Sequence, residues 1–158
     1  MLEPSLTLRP ERPEDEPFIC HLFAESRFGL VAPLPWVPSQ KLVFLHHQFQ
    51  LQAAHYRSCY PDAVFSIVQL QDHPIGRFYV NRTDAAIRVI DITLAAEHQN
   101  RGIGGGLLRI LLAEAEATGR PVRLNVERSN PAWRLYQRLG FRKIHDGGIY
   151  LEMEWSPA

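Results

Sequence analysis

The sequence has no long apolar run, no excess of charge of either sign and few cysteines. No stretch approaches the roughly 20 apolar residues that cross a membrane, so we expect no membrane-spanning helix. The first residues carry neither the basic flank nor the apolar segment of a secretion signal, which favours a cytoplasmic protein. Because 17 basic residues balance 17 acidic ones, no overall field draws the chain to nucleic acid or to an anionic membrane. A local site must therefore select its partners.

The two cysteines lack the spacing of a metal site or of a redox pair. We expect Cys20 and Cys59 to be small core or half-buried residues, as free thiols commonly are. The alternative is that Cys59 acts as a nucleophile that accepts an acyl group. The residues around it give only weak support for the lowered thiol pKa that this role needs. The seven histidines are scattered, and the adjacent His46 and His47 point to different sides of a helix. We therefore expect no metal site.

Length and composition fit one globular domain over residues 1–158. The chain is 46% hydrophobic and 22% charged, and it contains no repeat, low-complexity tract or linker. Hydrophobic period and turn residues predict strands at residues 5–9, 64–68, 75–80, 87–94, 122–126, 141–144 and 149–155, and helices at residues 14–29, 39–60, 102–118 and 131–139. The pattern at residues 71–74 predicts a hairpin turn. This order predicts an α/β (α+β) fold with helices packed on a mixed sheet.

The second predicted helix has one apolar face. Ser39 stands where its cap belongs, because a serine hydroxyl can bond the free amides of the first turn. Leu42, Leu45, Phe49 and Ala53 recur at steps of three or four residues. That spacing predicts a stripe that faces the core.

A cluster of glycines opens the third predicted helix. Gly102, Gly104, Gly105 and Gly106 fall where a strand gives way to the helix, and each lowers helix stability by about 1 kcal/mol relative to alanine. The first amides of a helix have no partner within it, and a turn without side chains lets a phosphate reach them. A pyrophosphate is the expected occupant, and close packing of helix on strand is the alternative. The spacing fits neither the dinucleotide fingerprint nor a P-loop.

Two motifs resemble those of one known family. The pattern Gln-x-x-Gly-x-Gly, followed by Gly-Gly-Leu-Leu, at residues 99–108 resembles the acetyl-CoA motif of the GNAT superfamily of N-acetyltransferases. Residues 124–141 resemble the family's second signature stretch. The resemblance implies a GNAT-like fold, with a mixed, mostly antiparallel central sheet of about seven strands flanked by about four helices. It also implies an enzyme that moves an acetyl group from acetyl-CoA to a primary amine by direct attack on the thioester.

The same resemblance implies a set of cofactor-binding residues. In this family the strand before the glycine turn separates from the next strand, and its exposed amides hold the pantetheine arm as an added strand would. Those positions are occupied here by Leu94, Ala95 and Ala96. The residues expected to wrap the pyrophosphate, largely through main-chain N–H groups, are Gln99, Asn100, Arg101, Gly102, Ile103, Gly104 and Gly105. Asn130 matches an asparagine that contacts the arm, and its alternative role is a helix cap before Pro131.

Tyr136 matches the tyrosine that protonates the departing sulfur in many family members. A phenol titrates near pH 10, so a neutral tyrosine is available at about pH 7 and can donate to the developing thiolate. Ordinary core packing is the alternative. Many members place the asparagine seven residues before this tyrosine, whereas here Asn130 precedes it by six and Ser129 holds the seven-residue position.

The general base is less well marked. An amine with a pKa near about 10 must lose a proton before it attacks the thioester. Asp91 is the acid in the strand at residues 87–94, and it is the candidate base or amine-orienting group, with ordering of the sheet surface as the alternative. The family's glutamate base aligns with Arg88, and strand alternation predicts Asp91 on the opposite face from Arg88. Glu25, Glu152 or a water relay are other options, and the amide near Leu94 is the expected oxyanion donor.

The acceptor has no motif of its own. The pocket that the resemblance implies, between the first helices and the last strands, would contain Glu25, Phe28, Trp36, Phe44, Tyr56 and Tyr150. Unless these aromatics belong to the core, they favour an apolar or aromatic amine, as a small molecule or a peptide N-terminus. The sequence does not decide between a monomer and a homodimer. Two other functions are an acyl-CoA-binding regulatory module without turnover and a different nucleotide-binding domain, which the missing fingerprint disfavours.

Overall fold

The computed structural model describes residues 5–158, which form one seven-stranded sheet and four α-helices. The strands are β1 (Leu6–Pro10), β2 (Val64–Leu70), β3 (His73–Arg82), β4 (Ile87–Leu94), β5 (Val122–Glu127), β6 (Arg142–Asp146) and β7 (Tyr150–Trp155). The helices are α1 (Glu16–Val31), α2 (Pro38–Cys59), α3 (Ile103–Thr118) and α4 (Ala132–Arg138), with short 3-10 turns at Pro13–Asp15 and Ala96–His98. The predicted fold class and element order are confirmed.

The sheet has the strand order β1-β2-β3-β4-β5-β7-β6, and β4 with β5 is its one parallel pair among the described residues. That pairing covers three residue pairs and ends where Val89 meets Leu124. Beyond it the two strands separate, which leaves a gap between residues 90–94 of β4 and residues 125–127 of β5. We call this opening the β4–β5 gap. It is the separation that the family resemblance implies.

Helices cover both faces of the sheet. On the back face, α3 packs Leu107, Leu108 and Leu111 against sheet residues such as Val89 and Leu124, all at most 4% exposed. On the front face a smaller cluster joins α1 and α2 to β2 and consists of Ile19, Phe23, Phe49 and Ile67. Burying a side chain of this size contributes roughly 1.5–3 kcal/mol, so the two clusters hold the helices on opposite faces.

A β-bulge interrupts the pairing of β3 with β4. Tyr79 lies opposite Asp91, whereas the next residue, Val80, lies opposite Val89, so Ile90 is an extra residue in β4. A single extra residue reverses the face on which all later side chains of a strand lie.

The bulge corrects the expected orientation of Asp91. Val89 belongs to the back cluster, and Ile92 packs against the same cluster although the two differ by three positions. Asp91 consequently lies on the front face, where Tyr56 of α2 contacts it. Arg88 lies there too, bonded to Glu152. The prediction that Asp91 and Arg88 face opposite sides was wrong, because it assumed an unbroken alternation.

The second helix begins differently from the prediction. Pro38 is its first residue, and the cap is Val37, whose N–H donates to Oε1 of Gln40 at 3.2 Å, so Ser39 is not the cap. Proline suits the first helical position because its missing N–H would have no partner there. The apolar stripe is also narrower than predicted: Leu45 is 3% exposed but Leu42 is 60% exposed.

The cysteines differ in burial. Cys20 is half-buried, as predicted, and burial raises the pKa of its thiol. Cys59 is exposed near the end of α2, with its Sγ 3.6 Å from Nδ1 of His55, so the predicted burial of Cys59 was wrong. The reason is its position: the helix turns this residue outward, and residues 57–59 are all exposed.

Candidate active site

The glycine turn leaves the first amides of α3 without side-chain cover. Gly102 precedes the helix with a φ of +82°, a left-handed conformation that favours glycine, and Asn100 also has a positive φ of +61°. The N–H of Gly106 bonds the Gly102 carbonyl at 3.0 Å. The amides of Ile103 and Gly104 come before that first helical bond and have no partner inside the helix.

Packing does not explain the glycines at the front of this turn. A Cβ built on Gly102 would meet nothing within 4 Å, and one on Gly104 would meet only Cδ1 of Ile92 at 3.9 Å. A Cβ on Gly105 would lie 3.4 Å from the guanidinium of Arg109. Space beside the first two glycines is therefore open, which suits the approach of an anion better than close helix packing.

The polar side chains of the turn are exposed. Gln99, Asn100 and Arg101 all lie on the surface, so their polar groups are accessible beside the amides. The Nε2 of Gln99 donates to the carbonyl of Leu94 at 3.0 Å and so ties the turn to the end of β4. The predicted pyrophosphate residues therefore form one continuous surface with the end of β4.

The amides at the end of β4 alternate in direction. The N–H of Ala95 donates to the carbonyl of Ile75 at 2.8 Å, within the sheet. In an antiparallel pair, neighbouring residues direct their amides to opposite sides, so Ile92 and Leu94 direct theirs into the β4–β5 gap. Ala95 was predicted to offer a free amide, and that prediction was wrong because the β3 carbonyl already takes it. The amide of Ile92 was missed, and the alternation counted back from Leu94 would have found it.

Ala96 has a different partner. Its N–H donates to Oε1 of Glu25 at 2.8 Å, so a carboxylate of α1 reaches the end of β4. Ala96 itself is exposed. The amide of Ala96 is thus occupied by Glu25, although the residue lies at the surface.

Tyr136 lies in the core beside the gap, on the short helix that follows β5. It is 7% exposed, and its ring centroid lies 5.9 Å from that of Phe141. Burial raises the pKa of Tyr136 to about 12, and the negative charge of Asp91 adds to this effect. The phenol therefore keeps its proton at neutral pH.

Asp91 is part of a buried polar cluster. Its Oδ2 lies 2.8 Å from a guanidinium nitrogen of Arg77 and accepts the Tyr56 hydroxyl at 2.9 Å, while its Oδ1 accepts the Thr93 hydroxyl at 2.5 Å. The side chains of Arg77 and Asp91 are only 4% and 9% exposed. Gln52 accepts a further bond from Arg77 at 2.8 Å. Because both oxygens already accept donors, this carboxylate is better arranged to orient its neighbours than to take up a proton.

Asn130 caps the helix that carries Tyr136. Its Oδ1 accepts the N–H of Ala132 at 2.9 Å, and Ala132 is the first residue of α4. The helix therefore begins one residue later than predicted, with Pro131 before it. The capping alternative for Asn130 is seen in the geometry, and the Nδ2 of its carboxamide can still donate to a ligand.

The front of the gap carries two ion pairs that join distant parts of the chain. Arg27 of α1 lies 2.6 Å from Oε1 of Glu127, and the Tyr150 hydroxyl lies 3.4 Å from the same oxygen. Arg88 of β4 lies 2.8 Å from Glu152 of β7, across the intervening strand β5. Arg27 and Glu127 were not singled out from the sequence, since 100 positions separate them and neither belongs to a motif.

The predicted acceptor residues do not form one pocket. Trp36 and Phe44 meet edge to face with ring centroids 5.3 Å apart, and they line a shallow cavity of about 580 Å³ near the start of α2. Tyr56 lies beneath α2 with Asp91, while Tyr150 lies on the far side of the gap. The predicted acceptor residues lie apart from one another because α1 and α2 cover different parts of the front face.

Residues 5–158 contain neither a cluster of metal ligands nor a membrane-spanning helix. No three His, Cys, Asp or Glu side chains in this range converge in a way that could hold a metal ion. No helix in the same range has the length and apolar character needed to cross a membrane.

Comparisons with solved structures agree with this fold. The PaiA N-acetyltransferase from Thermoplasma acidophilum, in complex with coenzyme A, is 19% identical with a TM-score of 0.69, covering 96% of this chain and 99% of that one. An acetyltransferase from Thermus thermophilus is 24% identical with a TM-score of 0.66, covering 95% of each chain. A GNAT family acetyltransferase from Elizabethkingia anophelis with acetyl-CoA bound is 16% identical with a TM-score of 0.61, covering 98% of this chain and 99% of that one.

Sequence comparison gives the family. Curated proteins provide no match to this chain. Residues 61–143, more than half of the chain, match the acetyltransferase (GNAT) domain. This stretch contains β4, the glycine turn, α3, β5 and Tyr136. With a family match of this extent and a fold that agrees with it, the chain belongs to the GNAT family of acetyltransferases.

Proposed function

We propose that residues 1–158 act as a single domain that transfers the acetyl group of acetyl-CoA to a primary amine. The β4–β5 gap carries this proposal. It lies between the end of β4, which leads into the open glycine turn before α3, and the end of β5, which leads into the helix of Tyr136, and strand alternation directs the amides of Ile92 and Leu94 into it. A long, polar arm with a pyrophosphate at one end fits such a path, because extended amide groups can pair with a strand edge.

In this proposal the donor is held mainly by main chain. The amides of Ile92 and Leu94 would pair with the pantetheine arm, and Ala96 would join them when Glu25 moves aside. The residues proposed to surround the pyrophosphate are Gln99, Asn100, Arg101, Gly102, Ile103, Gly104 and Gly105. The positive end of the α3 dipole and the free amides there favour a doubly charged group.

The proposed chemistry needs a proton to leave the amine and a proton to reach the sulfur. The neutral amine attacks the acetyl carbonyl and a C–N bond forms, and water in the gap takes the proton that the nitrogen then loses. The C–S bond breaks, Tyr136 gives its proton to the departing sulfur, and solvent returns a proton to the phenol. The amide of Leu94 or Ile92 would stabilise the charge that develops on the carbonyl oxygen. We assign Asp91 the role of ordering Arg77, Tyr56 and Thr93 rather than that of the base, because these three residues already occupy its oxygens.

Two measurements test the proposal. In a thermal-shift assay, acetyl-CoA should raise the melting temperature while NAD and ATP should not, because binding to the folded state alone stabilises it. Release of free thiol from acetyl-CoA, followed with a library of alkylamines, arylamines and peptides, should then show turnover with at least one acceptor. Stabilisation by acetyl-CoA without turnover on any amine would instead support a binding module. No stabilisation by acetyl-CoA would contradict the proposal altogether.

A further inference from the structure

Helix α1 contacts both sides of the β4–β5 gap. Its Glu25 accepts the Ala96 N–H at 2.8 Å on the β4 side. Two residues later, Arg27 donates to Oε1 of Glu127 at 2.6 Å on the β5 side. The end of α1 therefore lies across the front of the gap, and a polar side chain bonds each edge.

Glu127 has one carboxylate oxygen available. It is the last residue of β5 and lies opposite Tyr150 in β7. Both Arg27 and the Tyr150 hydroxyl bond Oε1, which leaves Oε2 without a partner among residues 5–158. The side chains of Arg27 and Glu127 are 30% and 26% exposed, so a molecule from solvent can reach them.

The contrast with Asp91 shows which acid a ligand can use. The pair of Asp91 with Arg77 is 9% and 4% exposed, and both oxygens of Asp91 are bonded. No amine from solvent can approach that carboxylate without breaking a buried ion pair, which costs several kcal/mol. Glu127 is an accessible acid on the front side of the gap with an open oxygen, as are Glu25 and Glu152, each of which bonds through one oxygen.

The surroundings of Glu127 suit a cation on an apolar body. Tyr150 is 47% exposed and its hydroxyl lies 3.4 Å from Oε1 of Glu127, and Ile149, the residue before it, is 73% exposed. The first amides of α3 lie toward the back face, so an arm that passes through the gap brings its acetyl end to the front, beside Glu127. This step rests on the proposed function.

We propose that Glu127 binds the ammonium group of the acceptor, and that Arg27 occupies the carboxylate until the acceptor displaces it. An ammonium carries the same charge as the guanidinium, so the exchange keeps the carboxylate paired while Arg27 moves into water. The acceptor class is a primary alkylammonium with apolar or aromatic neighbours. Arg27 competes with the acceptor for the Glu127 carboxylate. It lowers the apparent affinity for the acceptor, because only molecules whose carboxylate is free of Arg27 can bind it.

The test uses phenethylammonium as the probe and phenethyl alcohol as its neutral counterpart. Binding to the full chain is measured by NMR titration at constant ionic strength, in the wild type and in Arg27→Gln, Glu127→Gln and Arg123→Gln. Arg123 is the matched control, since it pairs with Glu154 at 2.7 Å on the same strands with 40% and 21% exposure. It differs in lying at the closed end of the β4 and β5 pair, opposite Arg88.

We expect Arg27→Gln to bind phenethylammonium about fivefold more tightly, the most that a partly exposed ion pair of about 1 kcal/mol allows. Glu127→Gln should bind it at least about tenfold more weakly than Arg27→Gln does, and Arg123→Gln should match the wild type. Phenethyl alcohol should not distinguish Arg27→Gln from the wild type. Equal ammonium affinity in Glu127→Gln and wild type, no gain in Arg27→Gln, or no binding in any variant would overturn the proposal.

Acetyl-CoA affinity, measured on the same four proteins, separates this inference from the function on which it rests. All four should bind acetyl-CoA equally, because neither Arg27 nor Glu127 belongs to the proposed cofactor surface. Failure of the wild type to bind acetyl-CoA would contradict the proposed function. Normal acetyl-CoA binding with unchanged ammonium affinities would contradict the role of Glu127 alone.

Discussion

Behind the β4–β5 gap the groups that we propose to face a ligand are main-chain amides within residues 92–105, whereas in front of it they are side chains from α1, β5 and β7. The first set follows from strand alternation and from glycines at a helix start. The second depends on contacts such as that of Arg27 with Glu127, which only the folded chain brings together. Most substitutions leave main-chain amides in place, so the first set changes only where a side chain blocks or repels the ligand, while the second set can be altered one residue at a time.

The largest effect should come from placing a negative charge in the main-chain site. Gly104→Asp should weaken acetyl-CoA binding by more than about 100-fold, because two like charges about 4 Å apart repel by roughly 4 kcal/mol near a protein surface. The fold should persist, since an acidic residue is favourable in the first turn of a helix. Calorimetric titration with acetyl-CoA measures the change.

Gly104→Ala is the matched control for that variant. The added Cβ meets only Cδ1 of Ile92 at 3.9 Å, an ordinary contact, so acetyl-CoA affinity should change by less than about threefold. Equal loss in the alanine and aspartate variants would show that shape matters at this position and that charge does not.

Tyr136, on α4, is in neither of these two sets, and a single substitution removes its hydroxyl alone. Tyr136→Phe should lower kcat by about 100-fold, the lower end of what a general acid contributes, with an unchanged Kd for acetyl-CoA and an unchanged Tm. Because the pKa of Tyr136 is raised to about 12, the phenol is protonated throughout pH 6–9, so the variant's deficit should be constant over that range. A matching loss of Tm and affinity would indicate a packing role instead.

The buried cluster in front of the gap should matter first for stability. Asp91→Asn leaves the guanidinium of Arg77 buried without a counter-charge, and we expect the free energy of unfolding to fall by about 3 kcal/mol. Urea denaturation measures this change. The double variant Asp91→Leu with Arg77→Met, which removes both charges, should recover most of the loss. If Asp91→Asn is as stable as the wild type, then the pair contributes nothing to the fold.

The smallest effect should come from the cap of α4. Asn130→Ala removes the acceptor of the Ala132 N–H and should cost about 1 kcal/mol of unfolding free energy, whereas Asn130→Ser keeps an oxygen cap and should cost less. Acetyl-CoA affinity separates the two roles of this residue. A more than tenfold loss of affinity in both variants would show that the carboxamide contacts the donor.

Local signals account for what the sequence predicts well. Strand β4 spans residues 87–94 as predicted, and α3 begins and ends within one residue of its predicted bounds, because Gly102 and Gly119 mark its ends with positive φ values. Glycine and proline act on their immediate neighbours, so their effect can be read along the chain. The glycine turn was predicted for the same reason, whereas Tyr136 was proposed from the family resemblance.

Contacts between strands and helices account for what the sequence does not predict. The extra residue Ile90 is set by the register against β3, and no residue type in β4 marks it. The burial of Arg77 in the middle of a strand and the pairing of Arg27 with Glu127 depend on helices placed elsewhere in the chain. The proposed acceptor site in front of the gap consists almost entirely of such contacts. For that reason the sequence alone did not predict which residues meet there.

The central claim is that main-chain amides on the back of the gap hold acetyl-CoA. An amide-resolved NMR titration of the labelled chain with acetyl-CoA tests it most directly. The account predicts the largest shifts at Ile92, Leu94, Gly102, Ile103 and Gly104, and only a small shift at Ala95, whose N–H remains bonded to Ile75. Saturable binding that leaves the amides of Leu94 and Gly104 unshifted would contradict it.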